Sequence, residues 1–278
     1  MNISKETLAA FAAWLRAGEK SAATIEKYRR EAARFAVWLD GGTVDKAAAS
    51  AYKDRLAEER SPSGVNGAVA ALNRLFDFLG TPECVLKAVK VQRQIFRDES
   101  KELTQSEYRR LLAAARGRRN ERLLLVMEAI CSTGIRVSEL RFFTVEAVRL
   151  GRVEVTNKGK TRTVFLPGKL QKVLLKYAKS HSIVSGPVFV TRSGRPLDRS
   201  NIWHDMKALC REAGVAESKV FPHNLRHLFA RTFYGLEKDI VRLADILGHS
   251  SVNTTRIYTM ETGATHRRLL ERMRLVVV

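Results

Sequence analysis

The sequence predicts a mainly α-helical chain of two domains, with one small antiparallel β-sheet in the second. Three observations carry that expectation. Apolar residues recur at steps of three and four over most of the chain, which turns one stripe of each helix inward. One stretch, Val153 to Leu166, instead alternates apolar and polar residues around a turn. The chain has 278 residues, and a domain of about 100 to 200 residues is the usual size.

Residues 1–82 read as a small helical domain. Ser21 can cap a helix whose Ile25, Tyr28, Ala32, Phe35 and Trp38 form one stripe, with Lys27, Arg29, Arg30 and Arg34 making the other face basic. Tyr52 and Leu56 mark a further helix. Ser63 opens another, carrying Val69, Leu72, Phe76 and Leu79 until Gly80 stops it. Residues 83–101 read as a basic linker, because Lys87, Lys90, Arg93 and Arg97 recur without a sustained apolar face.

A second domain, 102–278, opens with a capping box of Thr104 and Glu107. Helical periodicity continues through Leu123, Met127 and Ile130 to Gly134. Val153 and Val155 alternate with polar residues, Asn157-Lys158-Gly159-Lys160 has turn chemistry, and Thr161 to Leu166 alternates again before Pro167. That is a β-hairpin with a basic tip. Helical stripes return at Leu170, Val173 and Tyr177 and at Ile202, Met206 and Leu209, with a short extended piece, Val188 to Thr191, between them. The tail, with His266, Arg267, Arg268, Leu269, Leu270, Met273 and Leu275, reads as a basic amphipathic helix.

With 45% hydrophobic and 28% charged residues the chain is an ordinary soluble protein in composition. No apolar run reaches the roughly 20 residues of a bilayer span, and the N-terminus lacks a signal-peptide pattern, so a cytoplasmic protein is expected. Cys84, Cys131 and Cys210 are odd in number and far apart, which fits buried free thiols rather than a disulfide framework or a zinc site. Lys and Arg number 49 against 29 Asp and Glu, a formal charge of +20. Such an excess points to a polyanion, because each neutralised phosphate releases counterions. Charge alone does not separate DNA from RNA or an acidic membrane.

Three distant segments hold residue types suited to phosphoryl transfer: TGIRVSEL at Thr133–Leu140, HNLRH at His223–His227, and LGHSSVNTTRIYT at Leu247–Thr259. Singly, each has an ordinary structural explanation. His223 and His227 have the spacing of a zinc-binding H-E-x-x-H pair, but Asn224 stands where that motif needs its glutamate, so neither zinc nor another metal is expected. Together, and in this order around a basic hairpin, the segments resemble the tyrosine recombinase, or phage integrase, family over almost the whole chain.

The resemblance implies a SAM-like helical core-binding domain followed by a mixed, mostly α catalytic domain. In it, Arg136 and Arg226 clamp the scissile phosphate, a sound task for two planar guanidiniums facing non-bridging oxygens. Tyr258 is the nucleophile, giving a 3′-phosphotyrosine and a free 5′-hydroxyl without metal, ATP or other cofactor. His223 takes the tyrosine proton or orients the phosphate, and His249 donates a hydrogen bond to it. Lys158 protonates the departing oxygen, with Lys160 as its rival because hairpin length varies. Glu139 supports the site by holding an arginine or histidine, and His227 packs outside the clamp.

Lys27, Arg30, Arg34, Lys87, Lys90, Arg93 and Lys160 are the expected DNA-binding residues. The implied partner is double-stranded DNA, bound by a homotetramer on paired sites, with no membrane involved; in this family the C-terminal helix often docks into a neighbouring subunit, and the alternative is that it folds back on its own domain. Two other functions compete. A type IB topoisomerase uses similar groups, but L-G-H with His249 is the recombinase form; a silent accessory DNA-binding protein would have lost catalytic positions, and none is substituted. An additional arm-type DNA-binding domain ahead of the core-binding part is not expected, which favours simple core-site recombination, as in chromosome-dimer resolution or a compact mobile element.

Overall fold

The computed structural model of the chain describes residues 3–91, 98–157, 159–191, 193–259 and 263–274. Two units emerge, Met1–Arg93 and Gln94–Val278. The first holds four helices, α1 (Lys5–Ala17), α2 (Ala22–Leu39), α3 (Lys46–Glu59) and α4 (Pro62–Leu79). Sequence periodicity had not singled out α1, although Ser4 and Thr7 form a capping box ahead of the buried Phe11 and Leu15. Ser21 caps α2 as expected. The cap of α4 is Ser61 rather than Ser63, because Pro62 takes the first helical position, where its fixed φ and missing N–H cost nothing. Phe11, Phe35, Leu56, Leu72, Leu75 and Phe76 fill the core, with the Phe35 ring against Tyr52 and Phe76.

The start of the segment expected to be a linker is tied to α4. Asn73 Nδ2 donates to Leu86 O while Leu86 N donates to Asn73 Oδ1, and Asn66 exchanges the same two bonds with Val89, all at 2.8–2.9 Å. Seven residues of helix rise about 10.5 Å, and three extended residues span about 10 Å. Two asparagines two turns apart therefore match the backbone of an extended segment laid along the helix. Cys84 and Leu86 are buried.

The second unit begins with the Thr104–Glu107 capping box of α5 (Gln105–Gly117), as the sequence predicts. Next comes α6 (Glu121–Thr133), with eight buried residues, from Leu123 to Thr133, at the centre of the core. A short 3-10 turn, Val137–Phe142, and α7 (Val145–Arg149) lead to the hairpin of β1 (Arg152–Asn157) and β2 (Lys160–Phe165), paired antiparallel with Val153 opposite Val164 and Val155 opposite Arg162. Then follow α8 (Gly168–Ser180), α9 (Arg199–Ala208), α10 (Cys210–Ala213), α11 (Pro222–Glu237), α12 (Ile240–Leu247), α13 (Val252–Thr255) and α14 (Gly263–Met273). The extended piece near Val188 contributes only isolated bridges, Thr144 to Pro187 and Val190 to Pro196. All three cysteines are free, and burial pushes the Cys131 thiol up to about 12. Among the described residues no helix is long and apolar enough to cross a membrane.

Candidate active site

Arg136 lies just beyond a helix. Gly134 ends α6 in the left-handed region at φ 67°, and Arg136 then caps the 3-10 turn. Only glycine fits position 134: a Cβ there would stand 2.4 Å from the Phe229 ring. We predict that Gly134→Ala, combining that overlap with an unfavourable φ, costs on the order of 3 kcal/mol. Thermal denaturation should show the loss, and an unchanged melting temperature would refute it.

The site assembles where α6, α11, α12 and the hairpin meet. Arg226, on α11, is 1% exposed. Its guanidinium donates to Gly134 O, to Leu247 O at 2.7 Å and to His249 Nε2 at 3.1 Å. No carboxylate pairs with it among the described residues, and its Nε has no partner there. Burial and the neighbouring Arg136 lower its pKa to about 10, so it remains charged at neutral pH. A buried, uncompensated guanidinium is costly in a structure that binds nothing, and is suited to an incoming anion.

Glu139, 2% exposed, anchors the rest. Its carboxylate accepts from the Arg136 backbone N–H (2.8 Å), Arg136 Nη1 (3.0 Å), and Arg162 Nη1 and Nη2 (3.1 and 2.8 Å). Burial alone would raise its pKa, but the donors from Arg162 and Arg136 outweigh burial and hold it below the usual range. Arg162 was not singled out from the sequence. Three consecutive carbonyls at the end of α12 each receive a different arginine: Ile246 takes Arg162, Leu247 takes Arg226 and Gly248 takes Arg136. The negative end of the helix dipole thus gathers three cations.

Tyr258 closes the arrangement from the 3-10 turn after α13. It is 4% exposed and packs with Ala230, Leu243 and Leu247. Burial raises its phenol pKa, opposed by the nearby positive charges of Arg226 and Arg136. The His227 ring meets it edge-on at 5.1 Å and the His249 ring lies parallel at 6.2 Å. His227, expected outside the site's main clamp, therefore stands between Tyr258 and His223, whose ring is 4.4 Å from that of His227. Its Nε2 is buried and without a partner among the described residues. Because an arginine can only donate, His249 Nε2 accepts from Arg226, and Nδ1 carries the proton shared with Thr255 Oγ1 at 2.9 Å.

Lys158 and Arg93 lie outside the described residues. Lys160 is exposed and shares the strand face of Arg162 and Val164 by alternation. In the first unit Lys27, Arg30, Arg34, Lys87 and Lys90 are exposed, Arg34 pairing with Glu31 at 2.9 Å. No group of three metal-ligating side chains occurs among the described residues.

His227 and His249 both fall to about 4, in each case through burial first and then nearby positive charge or His223. Their folded values lie below the unfolded value near 6.5, so between these limits the unfolded chain binds more protons. Stability should therefore be lost as pH falls below about 6.5 and level off near pH 4. Melting temperatures of DNA-free protein that stay flat from pH 7 to 5 would contradict the two shifts.

A helical unit followed by one that gathers arginines, histidines and a tyrosine on a hairpin-bearing fold has the organisation of a tyrosine recombinase. The match of residues 101–264 to the phage integrase family places the chain in that family, whose members perform site-specific DNA recombination. It is 31% identical over 287 residues to tyrosine recombinase XerA of Thermococcus kodakarensis, covering 99% of this chain and 98% of that one. To tyrosine recombinase XerD of Xanthomonas campestris pv. campestris it is 33% identical over 270 residues, covering 85% and 81%. A lambda integrase tetramer bound to a Holliday junction shares the fold, with a TM-score of 0.73, 17% identity and coverage of 91% of this chain and 76% of that one.

Proposed function

We propose that the chain cuts and rejoins duplex DNA through a covalent 3′-phosphotyrosine at Tyr258. The observation that carries this reading is a buried phenol whose ionisation is favoured by the nearby Arg226, an arginine whose charge no carboxylate neutralises among the described residues. With Arg136 and Arg226 on the non-bridging oxygens, the phosphate is held while Tyr258 attacks in line and the 5′-oxygen departs. His227 and His249 flank the phenol and His223 lies against His227, so these are the groups through which its proton can leave. His249 gives up its bond from Arg226 when that arginine turns to the phosphate, and as an imidazolium it then donates from Nε2. The ester conserves bond energy, so a second 5′-hydroxyl reverses the step without ATP.

Four protomers on two DNA sites complete an exchange, supported by the tetrameric assembly of the lambda integrase relative. Leu270 and Met273 on α14 are exposed and available to a neighbouring subunit. The reaction takes place on DNA in the cytoplasm, as integration and excision or as chromosome resolution. Trapping the protein on genomic DNA with denaturant and sequencing the attached fragments tests the reading: they should converge on one short site, joined at Tyr258. No denaturant-stable product would overturn it. Because arginines supply the positive charge, trapping should persist in excess chelator, and loss restored by magnesium would count against this assignment.

A further inference from the structure

Arg162 sits on the core-facing side of β2, where its strand neighbour Val164 and cross-strand partners Val153 and Val155 are buried and apolar. An arginine there needs a reason. Its guanidinium spends both Nη atoms on Glu139 and its Nε on Ile246 O at 3.2 Å. Gly248, at φ 63°, leaves the space it occupies: a Cβ there would stand 2.8 Å from Arg162 Cδ and 3.0 Å from its Nε and Nη1. The L-G-H turn is therefore shaped around this side chain as well as around Arg226.

We infer that Arg162 is a positioning residue for the strand-cleavage reaction, which leaves the charge of Arg136 uncancelled and the side chain aimed by sharing its carboxylate partner, Glu139. The inference rests on the proposed phosphotyrosine chemistry. Two guanidiniums at +1 and one carboxylate at −1 leave the trio at +1. Without Arg162 the buried carboxylate would keep Arg136 as its one ion-pair partner among the described residues, and the sum for the two would be zero. Arg136 would then be drawn onto Glu139, away from Gly248 O, and its charge would be cancelled before any phosphate arrived.

That mechanism separates itself from a merely structural role by charge parity. Arg162→Met takes the trio to zero, and Arg162→Met with Glu139→Gln returns it to +1 without restoring the lost contacts of Arg162. The experiment compares wild type, both variants and Arg162→Lys in single-turnover cleavage of a nicked duplex carrying the site recovered by trapping, and in thermal denaturation. Arg162→Met should cleave about a hundredfold more slowly with DNA affinity within about threefold of wild type. The double variant should recover at least about tenfold of that rate and part of the lost melting temperature, because no buried carboxylate remains short of partners. Arg162→Lys, keeping the charge but not the fork, should fall between.

Replacing the scissile 5′-oxygen with sulfur should not rescue Arg162→Met, since the defect lies at non-bridging oxygens. Rescue by sulfur, or a double variant no faster than the single one, would overturn the inference. If wild type itself formed no covalent product, the proposed function would fail instead. The melting temperatures would still decide whether Arg162 compensates Glu139.

Discussion

Replacing Tyr258 with phenylalanine should abolish covalent cleavage and leave DNA affinity within about twofold of wild type. A nucleophile has no substitute, and its loss costs upwards of about four orders of magnitude in comparable covalent enzymes. Affinity, by contrast, is spread over many phosphate contacts of a chain with net charge +20. Phenylalanine keeps the ring that packs against His227, Leu243 and Leu247, so the fold around it should persist. On a nicked suicide duplex only the wild type should give a band that survives denaturing electrophoresis. A band from the phenylalanine variant would remove Tyr258 from the chemistry.

What the sequence discloses about the fold is what depends on near neighbours. The Thr104–Glu107 capping box, the Ser21 cap and the hairpin were legible because their signals lie within three or four residues. The Ser61 cap needed Pro62 to be weighed above a second serine. The extension of the first unit to Val89 hid in Asn66 and Asn73, which read as polar interruptions of an apolar helix. Their partners are backbone groups, which have no sequence signature.

The same distinction runs through the site. Arg136, Arg226, His249 and Tyr258 could be named from motifs, and the carbonyls that hold the arginines could not. Arg162 passed as one more cation of a basic hairpin, since its partner Glu139 is 23 residues away. The position carried a faint signal: strand alternation from Val164 puts residue 162 on the buried face, where a bare arginine would be costly. His227 was placed on the face of His223 by its spacing of four, but its contact with Tyr258 depends on how the turn after α13 returns to α11.

The largest effect that discriminates between neighbouring residues is expected at the hairpin tip. Lys158→Ala should cleave ordinary DNA very slowly, yet regain most of its rate when the scissile 5′-oxygen is replaced by sulfur. An alkoxide is a poor leaving group, its conjugate acid being comparable to water at about 15.7, and it needs a proton as the bond breaks. A thiolate, with a conjugate acid near 8.5, needs little help. The assignment rests on the family resemblance of the N-K-G-K-T-R stretch, since Lys158 itself lies outside the described residues. Lys160 is the competitor with structural support, being on the face of β2 that carries Arg162 to Glu139. Arg136→Ala serves as the contrast, because it acts on non-bridging oxygens that sulfur leaves unchanged, and it should stay slow on both substrates. Rescue of Lys160→Ala with none for Lys158→Ala would move the general acid two residues along the hairpin. If sulfur rescues neither, the proton comes from another group, and the lysine assignment fails.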